Sequence, residues 1–125
     1  MKTKYDVFTK DKEKISYRAF IQATLIELGL SPTSKGTYYL RDIITLALQE
    51  YSYNDVSLVD LRQKLAEKEN TSANTIKANI DYTFKYKDIS KAEKNFETIF
   101  NTKYDEYYIT AKSITNLIVS LIYTH

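Results

Sequence analysis

The stretch ENTSANTIKANIDYTF, residues 69–84, concentrates side chains that read nucleic acid. Asn74 has the donor and acceptor to pair bidentately with adenine, and Lys77 can donate to guanine or to phosphate. Thr71 and Ser72 carry hydroxyls where a helix would begin, and helix N-termini attract anions. Thr75, Ala78 and Tyr82 would share the outward face with Asn74 and Lys77. So would Asp81, whose charge opposes DNA. Lys85, Lys87 and Lys91 follow as a run suited to contacts with a phosphate backbone, and Lys35 is a further cation upstream. Each residue also has an ordinary reading: Thr71 and Ser72 as a turn and an N-cap, the others as a solvated helix face.

Other chemistry is poorly supplied. The chain has no cysteine, and its single histidine is the last residue, His125. A thiolate metal site is therefore excluded, and a Ser/His/Asp triad or a zinc centre would rest on a chain end. Asp105 and Glu106 sit in a Tyr-rich segment with no histidine or glycine-rich turn nearby. No phosphate-binding loop or dinucleotide fingerprint occurs. The expectation is a protein that is not an enzyme and uses no cofactor or metal.

These side chains must be held by a fold, and the composition points to helices. A chain of 125 residues fits one domain, and 43% hydrophobic residues suffice for a core. Two glycines and one proline are too few for the turns of a β-rich protein. Net charge is +2 and the pI about 8.6, mildly basic. The first 18 residues hold six Lys/Arg against three acids. No apolar run follows them, so a signal peptide is not expected. No window of about 18 apolar residues exists, so no membrane span is expected and the cytoplasm is the simplest location. Most of the 12 tyrosines should bury their rings and keep the hydroxyl wet.

Hydrophobic period then places the elements. Residues 1–14 read as a basic tail, docked through Tyr5, Val7 and Phe8, and 15–125 as one helical domain. Tyr17, Phe20, Ile21, Leu25 and Leu28 mark a first helix ending at Gly29, with Pro32 beyond it. The loop SPTSKG leads to the strongest helix, with Tyr39, Leu40, Ile43, Ile44, Ala47, Leu48 and Tyr51 inward. Ser57 with Asp60 resembles a capping box opening a third helix. Its narrow face is Leu58, Leu61 and Leu65, and its end is expected near Lys68. Asn70-Thr71-Ser72 supplies a turn and N-cap for a helix from about 73 to 86, with Ala73, Ile76, Ile80 and Phe84 inward. A short helix with Phe96, Ile99 and Phe100 follows, then KYDEYY as a loop. A last helix, capped by Thr110, turns Ile114, Leu117, Ile118, Leu121 and Ile122 inward. The fold expected is an all-α, compact bundle of about six helices containing a helix-turn-helix at about 57–86.

LGLSPTSKGTYYLRDII, residues 28–44, resembles part of the C-terminal DNA-binding domain of the stage-zero sporulation response regulator family. The shared run is Lys35-Gly36-Thr37-Tyr38-Tyr39-Leu40-Arg41-Asp42. A second match is Leu65-Ala66-Glu67-Lys68, then Asn70-Thr71-Ser72-Ala73, with Ile76 and Ile80 at buried positions. The resemblance covers roughly residues 17–124 and implies a sequence-specific transcription regulator that places helix 73–86 in the major groove of double-stranded DNA. Two departures stand out. Residues 1–14 leave no room for the family's receiver domain, so phosphorylation control in cis is expected to be absent. The charged residues with which the family reads its DNA box are replaced by Thr75, Lys77 and Ala78, so the fold is expected to carry over without the target sequence. Arg41 could instead pair with Asp42 or Glu50 as an ordinary surface residue.

One small helix reads few base pairs, so a homodimer on repeated or inverted half-sites is a natural arrangement, with RNA polymerase or another regulator as further partners. The rival reading is a protein-interaction module that keeps the fold but does not bind DNA, for example an inhibitor of a regulator or polymerase. Residues 57–94 hold eight Lys/Arg and six Asp/Glu, a thin positive balance for a DNA surface.

Overall fold

Gly29 stops the first helix as its sequence position suggested. In the computed structural model, which describes residues 13–50 and 57–124, its φ is +96°. Its N–H bonds to the Ile26 carbonyl and the N–H of Leu30 to that of Leu25, at 3.0 and 3.1 Å. This is a Schellman closure, with Leu25 and Leu30 both buried beneath it. Close approach adds a second reason for glycine, because a Cβ here would collide with the carbonyl of Asp88. The N–H of Asp88 donates to the Gly29 carbonyl at 2.9 Å. The ends of two distant helices are thereby tied together.

The described residues form six α-helices and no strand: α1 Glu13–Glu27, α2 Lys35–Glu50, α3 Leu58–Lys68, α4 Ala73–Lys85, α5 Ile89–Phe100 and α6 Ala111–Tyr123. A 3-10 turn, Glu106–Tyr108, lies between α5 and α6, within the KYDEYY segment expected as plain loop. The first helix begins at Glu13, inside the stretch expected as tail. Tyr5, Val7, Phe8 and Tyr51 lie outside the described residues, as does the side chain of Glu50.

The second helix is central, packing against α1, α3, α4 and α6. Its stripe of Leu40, Ile43, Ile44 and Ala47 is essentially inaccessible, and Tyr39 and Leu48 pack at the margin. Around it close Ile21 and Leu25 of α1, Leu61 and Leu65 of α3, Ile76 and Ile80 of α4, Phe96 of α5, and Ile114 and Ile118 of α6. Burial of such side chains stabilises by about 1.5–3 kcal/mol each before chain entropy opposes it. Ala73, Phe84, Ile99, Phe100, Leu117 and Leu121, expected inward, are partly buried at the edge of this core. Leu30, Ala66, Ile109 and Val119 are buried as well, though none stood out in the period reading.

Gly36 performs the second close approach. It lies in the first turn of α2, and a Cβ there would strike the carbonyl oxygen of Asn79 and the hydroxyl of Thr83 on α4. The Ser34 and Thr83 hydroxyls hydrogen-bond across the same contact. The start of α2 is therefore seated on the middle of α4. Asn95 donates from Nδ2 to the Glu27 carbonyl at 2.8 Å, satisfying an end carbonyl of α1 from α5.

Candidate nucleic-acid interface

Four residues, 69–72, join α3 to α4. Asn70 adopts φ +54°, a conformation asparagine tolerates better than most residues. Its N–H reaches the Glu67 carbonyl at 3.4 Å and that of Thr71 reaches Ala66 at 3.0 Å, repeating the Schellman pattern seen at Gly29. Ser72 then caps α4. Its side chain accepts from the Thr75 N–H at 3.1 Å and shares a hydroxyl hydrogen bond with Thr75 at 2.9 Å. Ser57 caps α3 in the same way through the Asp60 N–H. The connection is thus fixed at both ends by local hydrogen bonds.

Ile76, Ile80 and Thr83 form the buried face of α4. The opposite face exposes Asn74, Thr75, Lys77, Ala78, Asp81, Tyr82 and Lys85. Asn79, half-buried between the faces, donates to the Thr75 carbonyl at 2.9 Å. The expected outward residues of the helix are therefore brought together on one surface. Lys77 and Asp81 pair across one turn at 2.7 Å, with both side chains more than half exposed. Such a pair contributes only about 0.3–0.5 kcal/mol to the helix, so Lys77 can leave it at little cost. Lys85 lies over the ring of Tyr86 at 5.5 Å, and the Tyr86 ring meets that of Tyr82 at a tilt, centroids 4.7 Å apart.

Lys87 is folded in rather than presented to solvent. Its side chain is only 10% exposed and is held by Glu106 at 2.9 Å and by the Phe84 carbonyl at 3.4 Å. It differs in this from the solvated lysine run read in the sequence, because the acidic segment, far along the chain, folds back on the end of α4. Tyr104 completes this strap by donating its hydroxyl to Glu106. Burial, and then the Glu106 carboxylate, push the Tyr104 phenol up to about 12. Glu106 is held below the ordinary carboxylate value by the Tyr104 hydroxyl and then by Lys87.

The remaining expected contacts are dispersed. Lys91 is exposed in the first turn of α5, its N–H donating to the Asp88 N-cap at 3.1 Å. Thr71 is half-buried in the turn. Lys35 stands beside Gly36 and lines a groove with Arg18, Tyr38, Arg41, Asp42 and Glu69. Arg41 does pair with Asp42, at 2.9 Å, and its Nη1 donates to Gln22. Arg18 reaches the same Asp42 oxygen at 3.2 Å. Sequence reading missed this cluster, since Arg18 and Asp42 are 24 residues apart and no local pattern links them.

Among the described residues, no group of acidic or histidine side chains is arranged to hold a metal ion, and no helix is long and apolar enough to cross a membrane. No protein-family model, curated protein or solved structure matches the chain.

Proposed function

We propose that α3, the turn and α4 form a helix-turn-helix that binds double-stranded DNA, with α4 in the major groove, in the manner of the sporulation-regulator effector domain that the sequence resembles. The observation that carries this reading is the pairing of a four-residue turn closed by hydrogen bonds at both ends with a polar outer face on α4. A recognition helix needs both: fixed presentation from the helix before it, and side chains near its N-terminus free to reach base edges. Asn74 is suited to adenine, Lys77 to guanine or phosphate, and the Ala78 methyl to the thymine methyl. The role is that of a small transcription regulator, acting as a pair of copies on repeated half-sites.

The test is binding of purified protein to mixed duplex fragments at low and moderate salt, beside a Lys77→Glu, Lys85→Glu variant. Binding by the wild type and its loss in the variant support the reading, and the selected fragments reveal the site. If the wild type fails to bind at low salt, the DNA reading is wrong.

A second reading has its own observation. Tyr82, Tyr86, Ile89 and Tyr107 are each at least half exposed, and aromatic side chains are enriched at protein interfaces. With Lys77 neutralised by Asp81, this surface suits a protein partner such as a regulator or polymerase. Tyr82→Ala and Tyr86→Ala would then abolish that association while leaving the fold intact.

A further inference from the structure

The groove beside the α3–α4 turn holds an unusual arrangement of charge. Two guanidinium groups converge on the single carboxylate of Asp42. Arg41 approaches it with Nε at 2.9 Å and Nη2 at 3.4 Å. Its remaining nitrogen is engaged by Gln22, its charge lies 5.2 Å from the centre of the Tyr38 ring, and its side chain is only 15% exposed. Arg41 is therefore fully committed. Arg18 is held differently. It touches Asp42 through Nε alone at 3.2 Å, and its side chain is 55% exposed. The two terminal nitrogens of Arg18 have no partner among the described residues, and Lys35, on the same groove, has no carboxylate partner there. Arg18, Lys35 and Arg41 face Asp42 and Glu69, which leaves one positive charge in excess.

The place of this groove matters as much as its charge. Glu69 is the residue that ends α3 and opens the turn. Lys35 precedes Gly36, which abuts Asn79 on α4. The groove therefore joins the turn before α4, at Glu69, to the start of α2, which is seated on the middle of α4. A major groove about 12 Å wide is bounded by a phosphate strand on each side of an inserted helix. One of those strands would pass along this edge of the protein.

We propose that the Arg18–Lys35 groove is the seat of a DNA backbone phosphodiester beside α4. Asp42 holds the Arg18 fork in readiness; when the phosphate arrives, Arg18 cedes the carboxylate to Arg41 and turns its terminal nitrogens to the phosphate oxygens, with Lys35 as a second donor. A planar fork matches phosphate geometry with two parallel hydrogen bonds. The exchange costs little, because Asp42 keeps its inner partner. This inference rests on the DNA-binding reading above, and it assigns to Arg18 a positioning role across sequences rather than a base-reading one.

The test is titration of a mixed-sequence duplex at several salt concentrations with the wild type, an Arg18→Ala, Lys35→Ala variant and an Asp42→Asn variant, each first checked for native helicity and melting. Removing the two cations should weaken binding to all sequences alike and lower the salt slope by about 1 to 2. Asp42→Asn removes the carboxylate that competes with the phosphate for Arg18 and should strengthen binding with the slope unchanged, a gain that a damaged fold would not produce. If the wild type binds and the double variant matches it in affinity and slope, the cluster is only a clamp between α1 and α2, and the proposal falls while the DNA reading stands. If the wild type does not bind, both fall together. In a parallel titration with inorganic phosphate, binding that depends on Arg18 beside an unaltered DNA slope would assign the groove to a free anion and overturn the proposal.

Discussion

Gly36→Ala is the substitution on which the packing argument is most exposed. In an ordinary helix this change stabilises, because alanine is better than glycine by about 0.5–1 kcal/mol. Gly36 has no positive φ to forbid a side chain, so local propensity alone predicts a gain. The structure predicts a loss. The new methyl would meet the Asn79 carbonyl oxygen and the Thr83 hydroxyl at distances no packed carbon adopts. The Thr83 side chain has some freedom, but Asn79 presents backbone inside a helix, so α2 must move off α4. Overpacking of this kind costs about 1–3 kcal/mol, and breaking the part-buried Ser34–Thr83 hydrogen bond adds about 1 kcal/mol. After the propensity gain is subtracted, a net loss of about 1–3 kcal/mol remains. In a domain of this size each kcal/mol moves the melting midpoint by about 4 °C. Urea unfolding with an unchanged m-value would give the figure directly. Adding Thr83→Ala should recover only part of the loss, because the clash with the Asn79 carbonyl remains. A Gly36→Ala protein as stable as the wild type, or more so, would refute the account of how α4 is seated.

Three smaller changes probe other contacts. Ser72→Ala removes the cap of α4 and should cost about 1 kcal/mol in urea unfolding; no loss would mean the turn is held by Asn70 alone. Thr115→Val deletes a fully buried hydroxyl with no partner among the described residues, so it should be neutral or stabilising by up to about 1 kcal/mol, and a clear loss would reveal a partner for that group. The Glu106 carboxylate titrates below its ordinary value in the fold, so its contribution is complete above the unfolded value and disappears as pH falls through the folded one. Glu106→Gln should therefore flatten the acid limb of stability against pH. Tyr104 runs the other way: its contribution is complete below the ordinary phenol value and is lost as pH rises through about 12, which Tyr104→Phe should abolish. Identical pH profiles for wild type and variants would dissolve the strap.

The difference between what the sequence disclosed and what it hid follows from distance along the chain. Local signals carried through: Gly29 closes α1, Ser57 and Ser72 cap α3 and α4, and the Ile76–Ile80 spacing faces the core. Each depends on residues within about five positions of one another. What stayed hidden around the candidate site involves remote partners. Lys87 reads as a solvated lysine until Glu106 is brought to it from another segment. Arg18 counts only as one basic residue near the start of the chain until α1 packs on α2 beside Asp42. Gly36 lay in plain view, and a glycine inside a helical pattern is itself a signal of close approach, though not of which helix approaches. The outer face of α4 is a different case. Its residues were named correctly as outward, but outward position follows from the inward ones and says nothing of what they meet.

The charge around α4 bears on how many copies of the chain bind DNA. Lys77 is paired with Asp81 and Lys87 is sequestered by Glu106. Lys35, Lys85 and Lys91 have no carboxylate partner among the described residues, and Arg18 shares one with Arg41. These four cations of the described residues can neutralise up to four phosphates, which corresponds to a salt slope of about −3 to −4 for one copy on duplex DNA. Such a slope makes binding weak at physiological salt, as expected for a helix that reads few base pairs. Two copies on adjacent half-sites would double the slope to about −7 and multiply the discrimination. Titration of a selected site with stoichiometry measured alongside the slope separates these cases. A slope near −7 at two proteins per duplex supports paired binding. A slope near −3 to −4 at one per duplex would refute it, leaving specificity to a partner that holds the single copy on its site.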